Sequence, residues 1–198
     1  MPASQREITR EDLISDAEFA LQRKDRRSAL LSLKGLRRVP LGPYCTFYFE
    51  CFETMLFQVQ EMLLIEKGGE AQIEDELSAY NPLIPQGSEL VATMMFGLDD
   101  PVRREAFLGG LGGVEDHFYF EIGGSKVVAE ADSDTERSRD DGKTSSVHFL
   151  RFPFADEEIL AFRNPATRVI LGCDDSRYPH LTMLGAEPRA ELARDLKG

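Results

Sequence analysis

Four polar residues alternate along one short stretch, Glu115, His117, Tyr119 and Glu121, and a second histidine, His148, sits in another alternating stretch. If Val114 to Ile122 is a strand, residues two apart share a face. Glu115, His117 and Glu121 then project together, opposite Val114, Phe118, Phe120 and Ile122. Neutral imidazoles and carboxylates ligate zinc, iron or manganese. With His148 on an adjacent or facing strand, the set His117, His148, Glu115 and Glu121 is a candidate site for a divalent metal ion. Glu115 or Glu121 would serve there as ligand or general base. No complete metal motif accompanies these residues, and a sheet with one solvated face is polar there by default. Ordinary hydrogen-bonded histidines are therefore the first reading and metal ligands the second. His180, beside Pro179, reads as a loop residue.

Other chemistry has weaker support. The glycines within 109–113 follow a helical stretch and precede a strand, the reverse of a phosphate loop, so they read as a flexible connection. Glu50, Glu53 and Glu61 lie along a helical stretch and read as a solvated acidic face. A di-iron centre in a helix bundle needs Glu-x-x-His pairs. The residues three before the three histidines are Val114, Ser145 and Arg177, so that centre is disfavoured. Lys143, Thr144, Ser145 and Ser146, with Arg151, could hold an anion, but no GxSxG or other nucleophile motif is present. The cysteines, Cys45, Cys51 and Cys173, are odd in number and form no CxxC pair; they read as buried free thiols.

The elements that would position these residues follow from periodicity and punctuation. Thr9 with Asp12 has the form of a helix cap and predicts a helix toward Lys24, with a second over 28–34. Val39-Pro40-Leu41-Gly42-Pro43 breaks the pattern. Strand-like alternation follows over 44–49. Phe52, Met55, Leu56, Val59, Met62 and Leu63 recur at helical spacing, and a further helix spans 70–80. Strands are expected over 89–96, 114–122, 126–131, 144–152 and 168–173. Helices are expected after Asp100-Pro101, after Asp156 and over 187–197. A polar stretch, 132–142, reads as a mobile loop. The strands have few crossover helices long enough for parallel pairing. The expected fold is α+β, one domain over 1–198, with N-terminal helices packed on a mainly antiparallel sheet formed by residues from about 44 and from 89–173.

With 42% hydrophobic and 29% charged residues, the 198-residue chain can build a core. Its net charge of −12 argues against nucleic-acid binding. The charge is uneven. Arg23, Lys24, Arg26, Arg27, Lys34, Arg37 and Arg38, against Asp25 alone, leave segment 23–38 at +6 and the remainder at −18. That segment is either a solvated helix face or a docking patch for an acidic partner. No apolar run approaches the roughly 20 residues that cross a bilayer, and the N-terminus lacks an apolar signal core. A cytoplasmic protein without membrane contact is expected.

As a set, the stretches 8–13 (ITREDL), 61–63 (EML), 80–85 (YNPLIP), 89–93 (ELVAT) and 143–152 (KTSSVHFLRF) resemble the bacterial domain of unknown function numbered 3501. The resemblance runs nearly the whole chain, and none of its motifs is mechanistic by itself. It implies a cytosolic bacterial protein beside redox or oxidative-stress chemistry, since family members are often encoded near rubrerythrin-like and iron–sulfur proteins. It carries over no catalytic residues. Three functions follow as expectations. The first is a non-catalytic accessory or ligand-binding protein with a redox protein partner, contacting it through 23–38 or the Glu115/His117 face. The second is a metal-dependent enzyme, and the third is a structural subunit of a homo-oligomer.

Overall fold

A computed structural model of the chain describes residues 5–131 and 144–197. The stretch read as a mobile loop, 132–142, lies outside the described residues. The fold is α+β, as expected, and its strands divide between two antiparallel sheets. The larger has the order β1 (Arg38–Leu41), β2 (Cys45–Phe49), β3 (Glu89–Phe96), β7 (Val147–Pro153), β6 (Glu130–Ala131). The smaller has the order β5 (Ser125–Val128), β4 (Phe118–Ile122), β8 (Val169–Cys173), β9 (His180–Met183). Helices α1 (Asp16–Leu36), α2 (Phe52–Glu66) and α3 (Glu70–Tyr80) come early; α4 (Pro101–Gly109), α5 (Asp156–Arg163) and α6 (Ala186–Leu192) are interspersed later.

The sheets face each other through phenylalanine. Alternation on β2 turns Cys45, Phe47 and Phe49 inward, and alternation on β4 does the same for Phe118, Phe120 and Ile122. Ring centroids meet across the gap at 5.2 Å for Phe47–Phe118, 5.8 Å for Phe49–Phe120 and 4.8 Å for Phe120–Phe152. Edge-on and tilted contacts of this kind add to the gain from area burial. The other face of the large sheet carries Val91 and Phe149, which pack with Phe52, Met55, Val59 and Leu63 of α2 and with Ile8, Leu83 and Ile84. The large sheet is thus the middle layer, and β3 is apolar on both faces for most of its length.

Three local expectations are corrected. The Thr9–Asp12 cap closes only a single 3-10 turn, Arg10–Asp12: Leu13 is extended, and the Gln60 side chain then bonds the Ile14 backbone on both sides, at 2.9 and 3.2 Å. A fresh cap, Ser15 accepting from the Glu18 N–H at 3.3 Å, then starts α1. The expected second helix is part of α1, since nothing between Lys24 and Ser28 breaks it. The helix pattern does break before Val39-Pro40-Leu41, since α1 ends at Leu36, and these residues form edge strand β1, where a proline without an N–H is tolerated. His180, read as a loop residue, opens edge strand β9.

Arg37, which follows α1, ties that helix to the C-terminal segment. Its guanidinium, 3% exposed, holds Asp195 through two bonds of 2.8 Å and reaches Glu191 at 3.2 Å. Burial opposes both charges, so the paired geometry is what makes the contact tolerable. Replacing Phe120, fully buried, by alanine should lower the unfolding free energy by about 3–5 kcal/mol. Leu160→Ala, at 67% exposure on α5, should change it by less than about 0.5 kcal/mol. Urea denaturation of the two variants checks the pair, and a Phe120→Ala loss below about 1 kcal/mol would contradict the sandwich core.

Candidate functional site

The strand expected from Val114 begins only at Phe118. Residues Val114–His117 form a 3-10 turn, entered through Gly113 at φ 81°, a left-handed conformation that favours glycine. The turn breaks the period-2 alternation, so the shared face of Glu115, His117, Tyr119 and Glu121 does not form. Glu115 turns inward at 4% exposure, while the His117 side chain is 45% exposed. Tyr119 and Glu121 stay together on the outer face of β4, where Lys126 sits 4.3 Å over the Tyr119 ring and Arg168 donates to Glu121 at 2.9 Å.

Glu115 and His148 meet through a hydroxyl. His148 is buried on β7, pointing to the inner face of the large sheet beside Leu150 and Phe152. Its Nε2 lies 2.9 Å from Thr144 Oγ1 and 3.0 Å from the Ser145 carbonyl. A carbonyl only accepts, so Nε2 carries a proton. Thr144 Oγ1 in turn donates toward Glu115 Oε2 at 3.4 Å. Two of the four expected ligands, Glu115 and His148, thus share a threonine hydroxyl.

His117 belongs to a different cluster. Its Nδ1 is 2.9 Å from Asp174, which also accepts from Lys126 at 2.5 Å, and its Nε2 is 4.0 Å from Asp175. Arg177 donates to Asp175 through both its backbone and its guanidinium, and these bonds hold the Asp175 carboxyl down at about 2. Lys126 first, then His117, holds Asp174 low as well. Arg177 also bonds the carbonyls of Gly110 and Gly112 at 2.9 and 3.0 Å. The glycine run is therefore pinned at these two residues rather than free. Among the described residues, no group of three or more His, Cys, Asp or Glu is arranged to hold a metal ion.

The basic segment is resolved by α1. Arg23 is spent on a two-bond pair with Glu61, at 2.6 and 2.7 Å, and Arg37 is internal. Lys24, Arg27 and Lys34 are exposed, and with Leu31 they recur at spacings of three and four on one stripe. Leu31 is 64% exposed and Leu21 86%, whereas Phe19 is the buried residue of this 21-residue helix. The three thiols are buried and pushed up by that burial, Cys51 and Cys173 to about 11 and Cys45 further.

Residues that sequence reasoning passed over include Asp174, Asp175 and Arg177, which a DDxR run beside a strand end could have flagged. Glu50 was read as part of a solvated face. Glu53 is exposed, but Glu50 is 9% exposed and Glu61 is paired. Its parity was the missed signal, since Thr46, Tyr48 and Glu50 alternate on the outer side of β2.

A family model described as "Protein of unknown function (DUF3501)" matches residues 7–196. A crystal structure of a novel protein of unknown function from Burkholderia pseudomallei K96243 is 35% identical and superposes with a TM-score of 0.88, covering 96% of this chain and 99% of that one. No curated protein matches the chain. Among the described residues, no helix is long and apolar enough to cross a membrane.

A carboxyl held low in the folded state stabilises it above the unfolded value, near 3.9, and that contribution fades as pH falls toward about 2. Because Arg177 is 44% exposed, the contribution is on the order of 1 kcal/mol. The stability difference between wild type and Asp175→Asn should therefore shrink between pH 4 and pH 2. Urea melts across that range check it, and a difference that stays constant would refute the assignment.

Proposed function

Because the chain belongs to the DUF3501 family, whose description assigns no activity, we propose that it is a non-catalytic accessory protein that docks an acidic partner on the exposed face of α1. The observation that carries this reading is the stripe itself: Lys24, Arg27 and Lys34 beside solvent-exposed Leu21 and Leu31, on a chain of net charge −12. A local basic face on an acidic molecule steers an acidic surface to one place and repels it elsewhere. Exposed leucines on that face supply the apolar anchor that charge alone lacks.

Two further features support binding over catalysis. The histidines and carboxylates first suspected as ligands spend their hydrogen bonds on Thr144, Asp174 and Arg168. The thiols, buried and raised, offer no thiolate nucleophile near neutral pH. The redox chemistry implied by the family resemblance then belongs to the partner, and the reading includes a cytoplasmic site of action.

The test is a photo-crosslinking residue at Leu31, compared with one at Leu160 on α5, in the host cell. A discrete partner captured from Leu31 but not from Leu160 is expected, and Lys24→Glu with Arg27→Glu should weaken its binding at least ten-fold, about 1.4 kcal/mol. Both side chains are exposed, so thermal stability should hold. Identical capture at both positions, or binding indifferent to the double reversal, would sink the proposal. Capture of a second copy of this chain would favour the oligomer reading instead.

A further inference from the structure

A cleft of about 620 Å³ lies where the end of α5 and the loop after it meet β8, the end of β9 and α6. Its lining is mostly apolar and includes buried Phe162, Val169 and Leu184 with exposed Met183 and Ala190. The charged residues in that lining are Arg163, Arg168 and Arg189, and no acid is among them. On a chain of 35 acidic and 23 basic residues, this reverses the sign of the surroundings. A cleft of this size, with an apolar wall and a few convergent polar groups, is the usual form of a small-molecule site.

The three arginines differ in what they have spent. Arg168 is exposed and paired with Glu121 at 2.9 Å. Arg189 donates to the carbonyls of Ala161, Phe162, Asn164 and Thr167, which satisfies the last turn of α5 and leaves one N–H on Nη1. The negative end of that helix, roughly half a charge, offsets the guanidinium in part. Burial pushes Arg189 down from its ordinary value, whereas carboxylate partners hold Arg23 and Arg177 up. Arg163 crosses in the other direction and reaches the Ala193 and Leu196 carbonyls through Nη2 alone. Its Nε and Nη1 carry three further N–H groups. Those nitrogens are open to solvent, since among the described residues no buried side-chain nitrogen lacks a hydrogen-bond partner. Among the described residues, no ion pair reaches Arg163 or Arg189.

We propose that this cleft binds a small aliphatic carboxylate, its anionic head at Arg163 and Arg189 and its alkyl chain along Phe162, Val169 and Met183. Three N–H groups on Arg163 and one on Arg189 match the roughly four lone-pair sites of one carboxylate. Guanidinium groups bind carboxylates through charge-assisted hydrogen bonds, which are about twice as strong as neutral ones. The head would lie near the C-terminal end of α5, whose dipole opposes excess negative charge, so a monoanion suits the site better than a phosphate dianion. The ring and the thioether offer an adaptable wall to an alkyl chain. This site is separate from partner docking on α1, and neither reading requires the other.

The experiment follows the methyl resonance of Met183, in methyl-labelled protein, during separate titrations with hexanoate, 1-hexanol and inorganic phosphate at neutral pH. A saturable shift with hexanoate is expected, tighter than with the alcohol or phosphate by about ten-fold or more. Arg163→Met keeps the stem and removes the charge, so it should weaken hexanoate by a similar factor and leave 1-hexanol unchanged. No saturable response to hexanoate, a response matched by the alcohol or by phosphate, or unchanged hexanoate binding in a folded Arg163→Met variant would overturn the proposal. A second variant covers the case in which Arg163→Met fails to fold. Ala190→Glu, at an exposed position of α6, sets a tethered carboxylate in the cleft lining and should abolish the response to hexanoate. A folded Ala190→Glu protein that binds hexanoate as wild type does would also overturn it.

Discussion

A five-stranded sheet that must bury both faces sets most of what this chain does. Its inner face needs a second apolar sheet, and the phenylalanines of β2, β4 and β7 fill the gap between the two layers. Its outer face needs a lid, and α2 supplies one from Phe52, Met55, Val59 and Leu63. Backbone pairing then requires each strand to keep its phase, because a slip of one residue would exchange the two faces. Glu89 and Arg151 show how strict this is. Both fall at outer positions of paired strands, and they meet there as an ion pair of 2.9 Å.

Polar groups caught inside this arrangement are spent on holding it. Arg37 joins the end of α1 to the C-terminal segment, His148 and Thr144 close one end of the inner layer, and Arg177 anchors the glycine run. Among the described residues, no buried side-chain nitrogen or oxygen lacks a hydrogen-bond partner. What is left for recognition of a partner lies where the layers stop, on the outer stripe of α1.

Much of the architecture was legible because it rests on local signals. The 3-4 spacing from Phe52 to Leu63 and the glycines after it mark α2 almost to its ends. Asp100-Pro101 marks the start of α4, with the Asp100 side chain accepting from the Arg103 N–H. The division into two sheets was not legible, because inward alternation looks the same in one curved sheet and in a sandwich. Only contacts between residues far apart, such as Phe47 and Phe118, distinguish them. The candidate site was misread for a related reason. Alternation from Phe118 to Ile122 is real, but extending it back to Glu115 ignored the freedom that Gly113 gives the chain just before. A turn of four residues is too short to leave a period of its own.

The central claim is that the suspected ligands serve the fold and the protein works by binding. Elemental analysis tests it most directly, on protein purified without tag or chelator and again after incubation with iron, zinc and manganese. The expected result is no stoichiometric metal in either sample. Near-stoichiometric metal that disappears in His148→Ala or His117→Ala would contradict it and return the enzyme reading to the front.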